Sequence, residues 1–308
     1  MLKVEKQKRI RELVKKQNAV ILAHYYVADE IQEIADYLGD SLYLSQQAKL
    51  SKAKVILFCG VKFMAETAKI ISPEKTVLIP DDTATCSLAE HVNVDDCLKW
   101  KNSFHNPYLI SYINCSTEVK AISNIICTSA NALKIVETAP KNASLLFAPD
   151  INLGSWLNKE LNINMALWNG HCTVHQNYDV GHLLECIKKY PEAEVVAHPE
   201  CHPNLLKYAN FIGSTTAIIN YTKKTPNNIF IVLTENGIAR QLKIESPKKQ
   251  FVFIMNQNRE NNICLDMKKH NLDNVINALE TMEPQINIDE DLRKNAFKAI
   301  NKMLDFSR

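Results

Sequence analysis

Glycine is scarce: there are seven in 308 residues, and neither G-x-G-x-x-G nor G-x-x-x-x-G-K-[ST] occurs. A nucleotide cradled on a glycine-rich loop is therefore not expected. Charge of one sign is missing as well. Lys+Arg number 36 against 34 Asp+Glu, so no strong field points toward nucleic acid or an anionic membrane. No apolar run approaches the length of a membrane span. The opening "MLKVEKQKRIRELVKKQ" is basic but has no apolar core, so it does not read as a secretory signal. Leu2, Ile10, Leu13 and Val14 fall near one face of what is expected to be a solvated helix, and the expected compartment is the cytosol. C-x-x-C pairs are also absent, which counts against a zinc ribbon or finger.

Cysteine itself is plentiful. Nine are present: Cys59, Cys86, Cys97, Cys115, Cys127, Cys172, Cys186, Cys201 and Cys264. The number is odd and the spacing wide, which argues against a disulfide framework in a reducing compartment. Buried small hydrophobes, a reactive thiol and metal thiolates remain. Any metal site must gather its ligands from distant parts of the chain. The stretch "NGHCTVHQ" (169–176) places His171, Cys172 and His175 together. They read equally as metal ligands, as a nucleophile with its base, or as polar residues at a strand end.

Apolar residues make up 46% and charged residues 23%, as in ordinary soluble domains. Short apolar runs alternate with amphipathic helical stretches, which predicts an α/β fold. Strands are expected at 19–24, 54–60, 76–81, 108–114, 124–129, 144–150, 165–170, 194–200, 211–215 and 228–235. Their near-continuous apolar character suits parallel sheets covered on both faces. Segments 59–81, 127–150 and 213–235 look alike. Each passes from a strand end through a helix and a proline turn to an apolar strand closed by an acid, at Asp81, Asp150 and Glu235. An upstream strand precedes each, closing at His24, Asn114 and His171. Three similar α/β units are the expectation. Leu292, Phe297, Ile300 and Leu304 mark a final helix that closes the structure.

Ligands of parallel α/β folds bind beyond the carboxyl ends of the strands, and here those ends collect His, Tyr, Asn, Glu and Cys. Cys97 and Cys186 sit in helical patterns and read as core. Cys59, Cys115 and Cys127 lie at strand ends, where packing and function are equally plausible. Cys86, Cys172 and Cys264 each fall in a junction after a unit's last strand, 86 and 92 residues apart. If the units are symmetry-related, the three converge, and three thiolates suit an iron–sulfur cluster with one open iron, or zinc with a water. His171/His175 and His198/His202 have i, i+4 spacing, but Pro199 and Pro203 argue against a helix at the second pair.

Eleven pieces in order resemble the quinolinate synthase family: "ILAHYY", "ADYLGDSLYLSQQA", "CGVKFMAETAKI", "SYINCSTEVKA", "CTSANA", "FAPDINLG", "NGHCTVH", "HPEC", "GSTTAI", "TENGIARQLK" and "CLDMKKHNLDNVINALE". The resemblance implies three αβα units with parallel sheets around a pseudo-threefold axis, with a [4Fe–4S] cluster in a central active site. The expected units are 1–85, 86–165 and 166–284, with a helix at 285–308 packing back on the first. By the resemblance, Cys86, Cys172 and Cys264 hold the cluster, whose open iron acts as a Lewis acid. The implied reaction joins iminoaspartate to dihydroxyacetone phosphate, losing phosphate and two waters. His24, Ser41, Tyr112, Asn114, Ser129, His198 and Thr215 match substrate-binding positions, with Ser41 and Ser129 assigned to the phosphate and Tyr112 and Asn114 to a carboxylate. Glu200 matches the acid/base carboxylate and Tyr26 a tyrosine over the substrate. His175, with His198, is placed among the catalytic residues for proton transfer. The implied partners are the two small substrates and a functional link to an iminoaspartate-producing enzyme, without nucleic acid or membrane. Tyr25 stands where the family commonly has Asn, Ser87 where Pro is common, and the final cysteine lacks the C-x-x-C-x-x-C of some members. A zinc-dependent lyase or hydrolase using Cys172 with His171, His175 or His198, and a non-catalytic iron–sulfur redox sensor, are the competing readings.

Overall fold

The computed structural model describes residues 2–307; the outermost positions of the expected first unit and closing helix, 1 and 308, lie outside the described residues. The apolar runs form three four-stranded sheets. The first contains β1 (Ala19–His24), β2 (Tyr37–Gly39), β3 (Val55–Cys59) and β4 (Thr76–Leu78). The second contains β5 (Pro107–Tyr112), β6 (Ile125–Cys127), β7 (Ser144–Ala148) and β8 (Ala166–Leu167). The third contains β9 (Glu194–Ala197), β10 (Phe211–Ile212), β11 (Ile229–Leu233) and β12 (Gln250–Phe253). Strand orders are β2-β1-β3-β4, β6-β5-β7-β8 and β10-β9-β11-β12, the same topology three times. Every pairing is parallel. The α/β class with parallel sheets is therefore as expected.

The central strands explain why. All five residues of β3 are buried, as are five of six in β1, because helices cover both faces. Fully burying a side chain such as Ile56 or Leu57 stabilises the fold by about 1.5–3 kcal/mol. Polar residues resume at the strand ends, where Asp40, Ser116, Asp150 and Ser214 cap helices through their side chains.

The internal repeat is real in topology but differs in phase from the sequence expectation. Segments 127–150 and 213–235 run from the end of a sheet's second strand to just past its third. Segment 59–81 instead runs from β3 to just past β4, and its counterpart in the first sheet is 39–61. Likewise His171 follows β8 of the second sheet; the residue corresponding to His24 is His198, after β9. Successive strand–helix–strand crossovers have similar lengths and apolar patterns, so a match one strand out of step looks as good. Strands β2 and β12 were not anticipated. Both lie at sheet edges, and β2 has only three residues.

The expected solvated N-terminal helix, Lys3–Gln17, is docked: it buries Ile10 and Leu13 and packs on the helix Leu272–Thr281. The final helix, Glu290–Phe306, buries Ala296, Ala299, Ile300, Met303 and Leu304. It lies on the helix Thr117–Ile122 and β6, and also on the helix Lys62–Ile71, so it spans the second and first sheets' layers. Strand β8 pairs with β7, which extends the second sheet to Leu167. Among the described residues, no helix is long and apolar enough to cross a membrane.

Candidate active site

The registers of the three sheets place functional side chains in equivalent positions. Ala23 pairs with Cys59, Ser111 with Ala148 and Ala197 with Leu233. His24, Tyr112 and His198 therefore occupy the next position in each sheet, and Tyr26, Asn114 and Glu200 stand two residues further on. The second strands repeat the pattern. Gly39 faces His24, Cys127 faces Tyr112, and Ile212 faces Ala197, so Ser41, Ser129 and Thr215 follow at matching offsets. All of these residues line one cavity of about 280 Å³, together with His175 and the three cysteines Cys86, Cys172 and Cys264. Every site residue expected from the sequence is thus brought to one place.

Of the "NGHCTVHQ" stretch, Cys172 and His175 face the cavity, and His171 does not. The His171 backbone N–H donates to His91 Nδ1 at 3.2 Å, and the two imidazoles meet edge-on with centroids 5.0 Å apart. Gly170 allows the chain to turn in: a Cβ there would lie 2.6 Å from the Pro149 carbonyl oxygen. The other six cysteines are buried and do not line the cavity.

A connected hydrogen-bond path crosses the site. Tyr112 donates its hydroxyl to Glu200 Oε1 at 2.5 Å, and His175 Nδ1 lies 3.0 Å from Glu200 Oε2. Burial raises the Glu200 carboxyl, but His175, His198 and the bonds from His175 and Tyr112 outweigh it and hold the group below the usual carboxylate range. An ionised Glu200 only accepts, so Nδ1 of His175 donates to it. Thr234 Oγ1 lies 3.1 Å from His175 Nε2 and 2.6 Å from the Tyr26 hydroxyl, which also lies 3.0 Å from Thr215 Oγ1. The path therefore runs from Tyr26 through Thr234 and His175 to Glu200.

Burial lowers His24 to about 3, with His198 and Lys268 adding to the effect. Burial likewise lowers His198 to about 3, against the opposing pull of Glu200. Both imidazoles are neutral near pH 7. Each accepts a backbone N–H at Nδ1, from Tyr26 at 3.2 Å and from Glu200 at 3.4 Å. Nε2 is then the protonated nitrogen, and in His198 it reaches Ser129 Oγ at 3.2 Å. Burial pushes Tyr26 and Tyr112 well above the ordinary tyrosine value, so both keep their protons.

Several contributors were not identified from sequence. Thr234 is fully buried and opens the stretch "TENGIARQLK", to which the sequence reading gave no site role. Lys268 pairs with Glu235 Oε1 at 3.1 Å and donates to the Tyr26 carbonyl. Gln32 donates to the carbonyls of Tyr25 at 2.8 Å, Val27 at 3.1 Å and Gly237 at 3.0 Å, tying the Tyr26 turn to the end of β11. Val61, Phe63 and Met64 supply an apolar wall.

The residues fit a metal cluster. Three half-buried thiols from three different junctions face one cavity. Burial pushes Cys86 up to about 12 and Cys264 up to about 11, and raises Cys172; nearby negative charge adds to it, from Cys264 and Glu200 on Cys86, from Glu200, Cys86 and Cys264 on Cys172, and from Glu235 and Asp266 on Cys264. Among the described residues, no Lys or Arg lines the cavity to offset that charge. Such thiols ionise when a cation binds them. The Asn114 side-chain oxygen is buried without a hydrogen-bond partner, as expected of a group awaiting a ligand. A second donor set, Cys172, His175 and Glu200, has ligand atoms within 4.8 Å of one another.

These features define a class: a three-sheet α/β protein whose shared cavity joins three thiols to acid–base groups. The family model described as "Quinolinate synthetase A protein" matches residues 8–305. The quinolinate synthase of Rippkaea orientalis is 46% identical over 299 residues, covering 97% of this chain and 92% of that protein. The quinolinate synthase of Synechocystis sp. is 48% identical over 299 residues, covering 97% and 94%. That of Prosthecochloris aestuarii is 44% identical over 309 residues, covering 99% and 94%. The chain belongs to the quinolinate synthase family.

Proposed function

We propose that this chain is a cytosolic quinolinate synthase of NAD biosynthesis. It condenses iminoaspartate with dihydroxyacetone phosphate and releases quinolinate, phosphate and two waters, with a [4Fe–4S] cluster on Cys86, Cys172 and Cys264. The observation that carries this reading is the convergence of those three thiols with Glu200 on one cavity. Family membership and the unpartnered Asn114 oxygen support it. The units 1–85, 86–165 and 166–284, with the second lengthened to take in β8, are read as pseudo-threefold related, a reading supported by the identical strand order of the three sheets.

When bound, a cluster with three thiolate ligands leaves one iron open as a Lewis acid for loss of hydroxide. The chain's own groups bind and move protons. With no lysine or arginine lining the cavity among the described residues, the substrate anions meet neutral donors. Ser41 and Thr215 open the ten-residue helices Ser41–Leu50 and Thr215–Lys224, whose N-terminal amides favour anions. Ser41 and Ser129 take the phosphate, and Asn114 and Tyr112 a carboxylate. His24 and His198 act as neutral Nε2–H donors. Glu200, ionised and held by two donors, takes the proton that each dehydration removes from carbon. His175 and Thr234 connect it to Tyr26, which lies over the substrate.

The Cys172–His175–Glu200 donor set favours a second reading, zinc-dependent lyase or hydrolase chemistry. It leaves Cys86 and Cys264 without a role. Anaerobically prepared protein given both substrates is expected to form quinolinate and phosphate in equal amounts. Glu200→Gln is expected to lower turnover by about a hundredfold or more while keeping its iron. Stoichiometric zinc without sulfide, and no quinolinate, would establish the zinc reading instead.

A further inference from the structure

The strand-end acids Asp150 and Glu235 are both fully buried, and neither has been given a part in binding or proton transfer. From the paired positions Ala148 and Leu233, each stands two residues beyond the register of its sheet's third strand, so they are topological equivalents. Their hydrogen bonds are equivalent too. One oxygen anchors the acid to its own turn: Asp150 Oδ1 accepts from the Leu153 N–H at 2.6 Å, and Glu235 Oε2 from the Gly237 N–H at 2.6 Å. The other oxygen reaches a distant loop. Asp150 Oδ2 accepts from the Cys172 N–H at 3.3 Å, and Glu235 Oε1 from the Cys264 N–H at 3.0 Å.

We propose that Asp150 and Glu235 are positioning residues that fix the backbone of Cys172 and Cys264, so that two of the three cysteine loops are set before a metal cluster binds. The inference rests on the reading of those cysteines as cluster ligands. Both loops are irregular, and fixing each residue of such a loop costs conformational entropy. A carboxylate with two acceptor oxygens, rigid at one end of a sheet, supplies that fixation from the protein side. It does so in either protonation state, because a lone pair on the oxygen facing the cysteine suffices. Burying an acid is otherwise costly, and Asp150 has no cation within ion-pair reach among the described residues.

The third loop provides an internal control. The equivalent position in the first sheet is Val61, whose side chain cannot accept a hydrogen bond. The Cys86 loop is held differently, by Asp266 Oδ1 accepting from the Thr85 N–H at 3.3 Å and by the Lys62 N–H donating to the Ala84 carbonyl at 2.8 Å. The device is therefore specific to Cys172 and Cys264.

The test uses the full chain in Asp150→Ala, Asp150→Asn, Glu235→Ala and Glu235→Gln forms. Amide hydrogen exchange in the cluster-free protein reads the hydrogen bonds directly, without any metal. Faster exchange is expected at Cys172 in Asp150→Ala and at Cys264 in Glu235→Ala, with Cys86 unchanged in Asp150→Ala. After anaerobic reconstitution, iron is expected to pass to a chelator about tenfold faster in each alanine variant, and less so in Asp150→Asn and Glu235→Gln, which retain one acceptor oxygen. Unchanged amide exchange together with unchanged iron retention would overturn the proposal. If an alanine variant does not fold, the amide variants decide, and wild-type behaviour in both readouts would overturn it. A wild-type chain that takes up no iron and sulfide would instead overturn the cluster reading, while the exchange pattern would still report on the positioning.

Discussion

Thr234 shows what a single hydroxyl contributes. It touches both the Tyr26 hydroxyl and His175 Nε2, and Thr234→Val keeps the shape while removing both bonds. A loss of about 1–3 kcal/mol in stability is expected, since His175 Nε2 is left buried and unpaired. Turnover should fall more than KM rises, because the lost group lies behind the substrate surface; thermal unfolding and steady-state kinetics check both. The neutral histidines make a second prediction. His24 and His198 sit at about 3 in the folded chain, below their ordinary value of 6.5. Between those values the unfolded chain binds more protons, so stability rises with pH there and is lost on acidification below about 6.5. Each histidine contributes a slope of up to about 1.4 kcal/mol per pH unit, to be read from denaturant unfolding across pH 4–7. Residues that carry the family's motifs, from His24 to Cys264, were legible in sequence. Thr234 opens the stretch "TENGIARQLK" but was not singled out, because a threonine at the end of an apolar strand is unremarkable until its neighbours are placed. Asp150 and Glu235 were visible as matched strand terminators, but 22 and 29 residues separate them from the cysteines they hold, and no local pattern spans that distance.

At the level of elements, the turn after β11 is tightly packed on three sides. A Cβ on Gly237 would lie 2.7 Å from Glu235 Oε2, from Lys268 Nζ and from the Tyr26 Cα. Gly237→Ala must therefore part the Glu235–Lys268 pair or push the Tyr26 turn aside. The expected cost is about 1–3 kcal/mol, seen as a lower Tm together with reduced activity. Strands were legible wherever both faces are buried, as in β1 and β3, since continuous apolar runs leave few other readings. The edge strands β2 and β12 escaped because edges need less apolar surface. The phase of the first repeat slipped by one strand for a related reason: every crossover of a parallel sheet repeats the same strand–helix–strand pattern, and only pairing in three dimensions says which strand is which.

For the whole molecule, three sheets of one topology bring matching strand ends to a shared cavity, and the Glu290–Phe306 helix spans the layers of two of them. The cysteines enter this arrangement from loops after β4, β8 and β12, which is why no short spacing motif joins them. The central claim is that these three thiols hold one iron–sulfur cluster. Its most direct test is iron and acid-labile sulfide analysis of the anaerobically purified chain, beside Cys86→Ala, Cys172→Ala and Cys264→Ala. About four irons and four sulfides per wild-type chain, lost in each of the three variants, is the predicted result. Iron and sulfide retained in all three variants, or zinc without sulfide in the wild type, would contradict it.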